Sequence, residues 1–411
     1  MRIGFDVSQT GSGKAGCGYF AHAMIQAMLD LAPTNDYSLF PSFGDFYFDP
    51  LMPVTNPYAG RHAHYGPRHL SRESAGRFWT GRDGDALFDG LDVVHANNFW
   101  CPVQPVASRV VYTFYDMGFA VNPDWTTEAN RRGCFDGVFR SAVAADWVVA
   151  ISAASRDHYL SMFPSYPADR IRVIHPCSRF VDASAAGTRP AALGAIPSGG
   201  FWLNVGTVEP RKNQRRLTDA YARYRRASAA PLPLVLAGGK GWLMDDFQHH
   251  LDALGIREHV VLTGYVSDDE LVWLYRHCYA NLYPSLFEGY GLPVLEGMQF
   301  GAPTVASDNS SIPEVAGDAA ILLAADDVDG WARALLALER DAARRDAMRD
   351  ASLAQACTFR WNDSAAALLQ LYADALAAPK RVVPGPTSGT TASSTAGATE
   401  KPTKRATETV S

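Results

Sequence analysis

Residues 283–307, YPSLFEGYGLPVLEGMQFGAPTVAS, decide the fold of this chain. They read as strand (278–284), glycine loop, helix, strand. Gly289 and Gly291 let the backbone of the turn approach a ligand closely. Pro293 stands where a first helical turn tolerates proline. A helix starting there aims its free N–H groups and positive dipole end into the loop, which suits an anion such as a diphosphate. Glu288 lies before that helix and Glu296 is expected in its first turn, so two carboxylates are expected to face one glycine-lined hollow. Beside a phosphate seat they would repel the ligand unless they bind something else, and sugar hydroxyls are the obvious candidate.

The pair Glu288-x7-Glu296, within FEGYGLPVLEGMQFGAPTVAS, resembles the signature of retaining glycosyltransferases of family 4, enzymes with the GT-B fold. The resemblance implies an α/β chain of two Rossmann-like domains facing across a cleft, and transfer of a hexose from a nucleotide diphosphate sugar. It places Glu288 on the donor sugar, Glu296 on the ribose diol, and Gly289, Tyr290, Gly291 and Leu292 along the donor. The plain alternative is a βαβ turn whose two glutamates are merely solvated.

At 411 residues the chain is long enough for two domains of similar size. Its net charge of −6 is uneven: residues 379–411 carry five Lys or Arg and two Glu, a local +3, which leaves the body near −9. That balance argues against nucleic acid as a partner. The six cysteines form no CxxC pair and read as reduced cytosolic thiols. The start, MRIGFDVSQTG, enters a strand without a signal-peptide pattern, and no stretch of eighteen apolar residues occurs. A cytoplasmic protein is expected, with weak attachment to the inner face of the membrane through the basic tail.

In the first half, strand 2–7, loop 8–18 and helix 19–31 form a phosphate-seat layout, although the loop lacks the Rossmann spacing and the P-loop ending. A tight turn is the alternative. The resemblance puts Gly16 and Gly18 across the cleft from the donor phosphates; Lys14 reads as solvated. Residues 41–90 are irregular, with a basic run at Arg61, His62, His64, Arg68, His69 and Arg72, and could build an acceptor site or a surface segment. Asp83-Gly84-Asp85 imitates a metal-binding DxD but reads as a turn, so no metal or other cofactor is expected. The apolar runs 92–97 and 110–116 end in polar residues, and ligands bind at such strand ends. His95 and Asp116 are therefore expected at the cleft, with a hydrogen-bonded structural role as the alternative for His95. Relatives often carry a His-Asp pair where this chain has Tyr115-Asp116. Ser152 is expected to cap the helix from Ala153.

Residues 182–200, rich in Ala, Gly, Ser and Pro, read as the linker between domain 1–181 and domain 201–358. Strand 201–205 leads into Gly206-Thr207-Val208-Glu209-Pro210-Arg211-Lys212-Asn213. Two adjacent cations at a strand's mouth are poor core material, and they suit a diphosphate, Arg as a fork and Lys as a compact charge. The same phrase occurs in the resembled family, with the cations on the diphosphate; some relatives have an arginine where this chain has Thr207. The family's nucleobase turn maps onto Gly264 and Val266. A last helix near 359–378 is expected to cross back to the first domain, and 379–411 is too poor in apolar residues to order itself and is expected to be dispensable for catalysis.

The reading is thus a retaining, metal-independent glycosyltransferase with Glu288, Arg211 and Lys212 at the chemistry. The resemblance is nearest to bacterial mannosyltransferases of surface-polysaccharide assembly, which implies GDP-mannose as donor and a glycan or lipid-linked saccharide as acceptor. A nucleotide-sugar epimerase of the same fold and a non-catalytic nucleotide-sugar binder are the rivals.

Overall fold

A computed structural model describes residues 1–8, 10, 16–40, 61–67, 72–97, 100–103, 105–180, 184, 186–239, 241 and 246–381. Lys14, Arg68, His69 and the segment 382–411 lie outside the described residues, as do parts of the glycine loop and of the 182–200 stretch.

Thirteen strands among the described residues form two wholly parallel sheets. In the first half these are β1 (Arg2–Asp6), β2 (Asp36–Phe40), β3 (Ala63–Tyr65), β4 (Val93–Asn97), β5 (Arg109–Phe114), β6 (Trp147–Ala150) and β7 (Ile171–Val173). Their order is β3-β2-β1-β4-β5-β6-β7. The second half holds β8 (Trp202–Val205), β9 (Leu234–Ala237), β10 (Val260–Gly264), β11 (Ala280–Tyr283), β12 (Thr304–Ser307) and β13 (Ala320–Leu323), ordered β10-β9-β8-β11-β12-β13. Runs such as WVVA and LVLA are buried at every position, as strands covered by helices on both faces must be. Each sheet reverses its winding once, between β1 and β4 and between β8 and β11. Open α/β sheets bind ligands at the carboxyl ends of strands at such reversal points.

One continuous apolar cluster joins the halves. Phe20, Met24 and Met28 of the first helix (Gly16–Leu31) share it with Val294, Leu295 and Met298 of the helix Leu292–Gln299 and with Leu368, Leu371 and Tyr372 of the last helix. That last helix, Trp361–Ala377, packs on the first helix and so crosses back to the first half. No helix among the described residues is long and apolar enough to cross a membrane.

Two boundaries differ from the sequence expectation. Gly187 already sits against the backbone of Asp269 and Trp273, and Leu193 is buried in the second half's core, so the stretch read as linker is partly docked. Residues 379–381, expected in the unordered tail, are tied to the first half. Lys380 Nζ donates to Ser108 O at 2.7 Å, Arg381 Nε to Ala145 O at 2.9 Å, and Pro379 O accepts from Arg170 at 2.8 Å. Carbonyls thus hold two of the five cations that made the tail look basic.

Candidate active site

The two strands that flank the second sheet's reversal point carry the charge. After β8 the chain turns at Gly206 (φ +145°) into a single 3-10 turn, Pro210–Lys212, closed by Asn213 in the left-handed region at φ +61°. Asn213 is suited to that conformation, and its side-chain amide donates to Pro284 O at 3.0 Å and Ala325 O at 2.8 Å. Arg211 O in turn accepts from Leu286 N at 2.8 Å and Ser285 Oγ at 3.1 Å. The β8 turn is therefore laced to the β11 turn before any charge is counted.

Arg211 and Lys212 converge on Glu288. Arg211 Nη1 donates to Glu288 Oε2 at 2.8 Å and to Phe287 O at 2.9 Å, while its Nη2 donates to Glu209 Oε1 at 2.8 Å. Lys212 Nζ donates to Glu288 Oε1 at 2.6 Å and Tyr283 OH at 2.7 Å. The same Oε1 accepts from Ser285 Oγ at 2.6 Å and Tyr283 OH at 2.9 Å. Burial alone would raise the Glu288 pKa, but Arg211 and Lys212 outweigh it and hold the carboxyl at about 2. Glu209, also buried, is pushed up by burial against the pull of Arg211. Two cations and two carboxylates make a neutral cluster, so no buried charge is left unpaired, the condition under which buried ions are tolerated.

Glu296 has a different set of partners. It is the fifth residue of the helix Leu292–Gln299, in the second turn and not the first, and it shares no partner with Glu288. Its Oε1 lies 3.2 Å from Arg179 Nε, and Oε2 accepts from Tyr275 OH at 3.2 Å. Burial raises its pKa, opposed by Arg179. The two glutamates thus have separate sets of partners.

Across the cleft, Asp116 follows β5 and accepts from Gly118 N at 2.8 Å. Tyr115 OH donates to Cys17 O at 3.3 Å. Gly289 meets these residues closely: a Cβ on it would lie 2.6 Å from Tyr115 O, and its carbonyl accepts from Ser152 Oγ at 2.7 Å and Ser155 Oγ at 3.1 Å. Ser152 also caps the helix Ala153–Met162. Gly289 therefore admits the other half of the molecule, while Gly291 supplies the left-handed backbone (φ +109°) that opens the helix at Leu292. Gly16, an exposed first residue of its helix, faces Leu292 from the first half; Gly18, two residues further on, is buried. Phe287 wedges between Trp125 (6.0 Å between ring centroids) and His158 (5.1 Å).

His95 is not at the cleft. It is wholly buried, with Nδ1 2.6 Å from Tyr372 OH on the last helix and Nε2 2.7 Å from Thr113 Oγ1. A residue in the middle of β4 has its side chain set by the pleat, and here that side is the packed core. Burial depresses its pKa to about 3, so it is neutral. Tyr290 packs in the apolar cluster between the halves, its hydroxyl buried without a partner. Thr207 gives its carbonyl to Gln214 Nε2 at 3.0 Å. Gly264 ends β10, two strands from β8, and Val266 packs against the second half's core. Asp83 and Gly84 form a turn, and among the described residues no group of three or more His, Cys, Asp or Glu could hold a metal ion.

Sequence reasoning missed Tyr283 and Ser285, although both stand in the stretch quoted at the outset, and Glu209, one residue before Pro210. It also missed Tyr275 and Arg179, for which no local pattern gave a signal.

Two parallel sheets of this order are the architecture of GT-B glycosyltransferases, and the chain belongs to the group 1 glycosyltransferases, whose family profile matches residues 192–355. It is 34% identical to the O-antigen chain mannosyltransferase B of Escherichia coli over 71% of this chain and 77% of that protein. It is 27% identical to the serotype-specific mannosyltransferase WbdA of the same organism, over 71% of this chain but 37% of that longer protein. The sucrose-phosphate synthase of Thermosynechococcus elongatus shares the fold, with a TM-score of 0.69 and 17% identity over 92% of this chain and 99% of that one. The protein is a glycosyltransferase, and as such binds a nucleotide-sugar donor and an acceptor.

Proposed function

We propose that this enzyme is a retaining, metal-independent mannosyltransferase of family 4 that moves mannose from GDP-mannose to a glycan or lipid-linked saccharide during bacterial surface-polysaccharide assembly. The observation that carries the reading is the convergence of Arg211 and Lys212 on Glu288 at the reversal point between β8 and β11. The mannosyl donor is supported by what the O-antigen relatives are named for.

As the glycosidic bond opens, negative charge grows on the departing diphosphate. Arg211 and Lys212 are already desolvated and ordered, so little reorganisation is needed to stabilise that charge. They supply what a metal ion would otherwise supply. Donor binding must draw both cations partly away from Glu288, whose freed oxygens then meet hydroxyls of the sugar. Glu296 takes the ribose diol, with Gly289 to Leu292, Thr207, Gly264, Val266, Gly16 and Gly18 lining the donor. The departing phosphate receives the acceptor's proton on the same face, so retention needs no protein base. Attachment to the inner membrane face would bring the enzyme to a lipid-linked acceptor.

The test is transfer by the purified protein from a panel of nucleotide sugars in excess EDTA, with the anomeric configuration of the product read by NMR. Transfer from GDP-mannose giving an α-linked product without added metal is expected. Preference for another donor, an inverted product, or activity that returns only on adding Mg²⁺ or Mn²⁺ would overturn the corresponding part.

A further inference from the structure

Arg179 has no place in the account above, yet three parts of the molecule meet on its guanidinium. It stands after β7, where the chain leaves the first half. Its side chain is 19% exposed. The guanidinium lies 4.7 Å from the ring of Tyr19 on the first helix and 5.0 Å from the ring of its neighbour Phe180. From the second half it meets Glu296 at 3.2 Å and, more loosely, Asp268 at 3.5 Å. Asp268 is about half exposed and begins the helix Asp268–His277, whose capping box already satisfies that end.

Among the described residues Arg179 is the cation paired with Glu296, whose side chain is only 4% exposed. A carboxylate so buried resists ionisation without a cation beside it. Tyr275, wholly buried, fixes the other oxygen. A planar guanidinium stacked on aromatic faces is also more rigidly placed than an ammonium would be.

We propose that Arg179 is a positioning residue for donor binding: ion-paired with Glu296 and lying over the Tyr19 ring, it holds the Glu296 carboxylate where that group receives the ribose diol. This rests on the reading of Glu296 as the ribose ligand. Because the same guanidinium lies against Tyr19, it ties the Glu296 carboxylate to the first half.

The experiment is a double-mutant cycle on donor KM in the full-length enzyme, using Arg179→Ala, Glu296→Gln and the pair, with Arg179→Lys as the conservative variant and thermal melts to confirm folding. Arg179→Ala is expected to raise donor KM about tenfold with kcat within about twofold, and Arg179→Lys to recover part of the loss. In the Glu296→Gln background, Arg179→Ala should add less than about twofold, because both changes remove one interaction. Additive effects would mean that Arg179 acts elsewhere and overturn the proposal, as would a loss confined to kcat. If Glu296→Gln leaves donor KM unchanged, the ribose reading itself falls and takes this inference with it. Should Arg179→Ala not fold, the same cycle run with Arg179→Lys decides between these outcomes.

Discussion

The carboxyl edges of the two sheets are built on opposite plans. At the second, Arg211, Lys212, Glu288 and Glu209 form a buried ionic cluster stitched to Tyr283 and Ser285. The first offers mostly hydroxyls and backbone, Ser152 and Ser155 on Gly289 of the second half and Tyr115 on Cys17, with Asp116 as a half-buried carboxylate near Arg211. Among the described residues its buried carboxylate, Asp6 at the end of β1, is paired with no cation; it accepts from Ser8 N at 2.9 Å and Asn97 N at 3.3 Å, and burial pushes its pKa up to about 7. Fixed charge is worth most where charge develops during reaction, and a partner that exchanges with each acceptor is better met by groups without strong charge. On the proposed function the chemistry falls to the second edge, where the fixed charge is.

The largest test of that contrast is Lys212→Ala against Asp116→Asn. Loss of one transition-state charge contact is worth about 3 kcal/mol, so Lys212→Ala should lower kcat/KM about a hundredfold. Asp116→Asn, on the hydroxyl-lined edge, should cost less than about tenfold. Comparable losses in steady-state kinetics would erase the distinction between the edges.

Within the second edge the two glutamates should part company. Glu288 sits with the cations proposed to face the diphosphate, so Glu288→Gln is expected to lower kcat by about tenfold with donor KM little changed. Glu296→Gln should raise donor KM by about tenfold and spare kcat. Kinetics at saturating acceptor decide, and the reverse pattern would exchange their positions along the donor.

A smaller effect separates the core from the cleft. Tyr372→Phe removes the hydroxyl partner of His95 Nδ1 and should cost about 1–2 kcal/mol of stability, read as a lower denaturant midpoint, while kcat/KM stays within about twofold. A fall in kcat/KM beyond that would return His95 to the reaction.

Much of this division was legible in the sequence. Arg211 and Lys212 stood out because adjacent cations at a strand's mouth are poor core material, Glu288 because of the glycine loop that holds it, and the glycines and Pro293 pointed to a loop-to-helix turn. His95 misled because it was read as a strand-end residue, whereas it stands in the middle of β4, buried on both faces, with Tyr372 of the last helix, 277 residues away, as one of its partners. Arg179 was invisible for a related reason: its partners Tyr19, Asp268 and Glu296 come from three distant segments, and nothing beside it in sequence hints at them. Glu296 falls one residue later in its helix than expected, because the helix opens at Leu292 and leaves the glutamate fifth in line.

The smallest effect is in the pH dependence of stability, where two buried groups of the first half oppose each other. His95, depressed from 6.5 to about 3, stays unprotonated in the fold while the unfolded chain takes up a proton. Its contribution is full above pH 6.5 and is lost as pH falls towards 3. Asp6, raised from 3.8 to about 7, keeps its proton in the fold, so its contribution is full below 3.8 and is lost as pH rises through about 7. Between these limits the two slopes offset. Asp6→Asn should remove the second and make Tm fall more steeply than in the wild type on going from about pH 6.5 to about pH 5. Parallel Tm profiles for the two proteins would show that the balance is not struck by these groups.

The return of the last helix also sets a timetable for synthesis. Tyr372 closes the hydrogen bond to His95, Arg172 pairs with Asp374 at 2.9 Å, and Arg109 donates to Ala375 O at 2.8 Å, all across the first half. A ribosome working from the amino terminus must therefore complete the whole second half before the segment that finishes the first half emerges. The second domain can assemble while its elder neighbour still lacks a helix, with Phe20, Met24 and Met28 uncovered on one side. Exposed apolar surface of that kind is what chaperones bind and what drives misassembly of nascent chains. For this enzyme the exposed interval lasts longest in the domain made first.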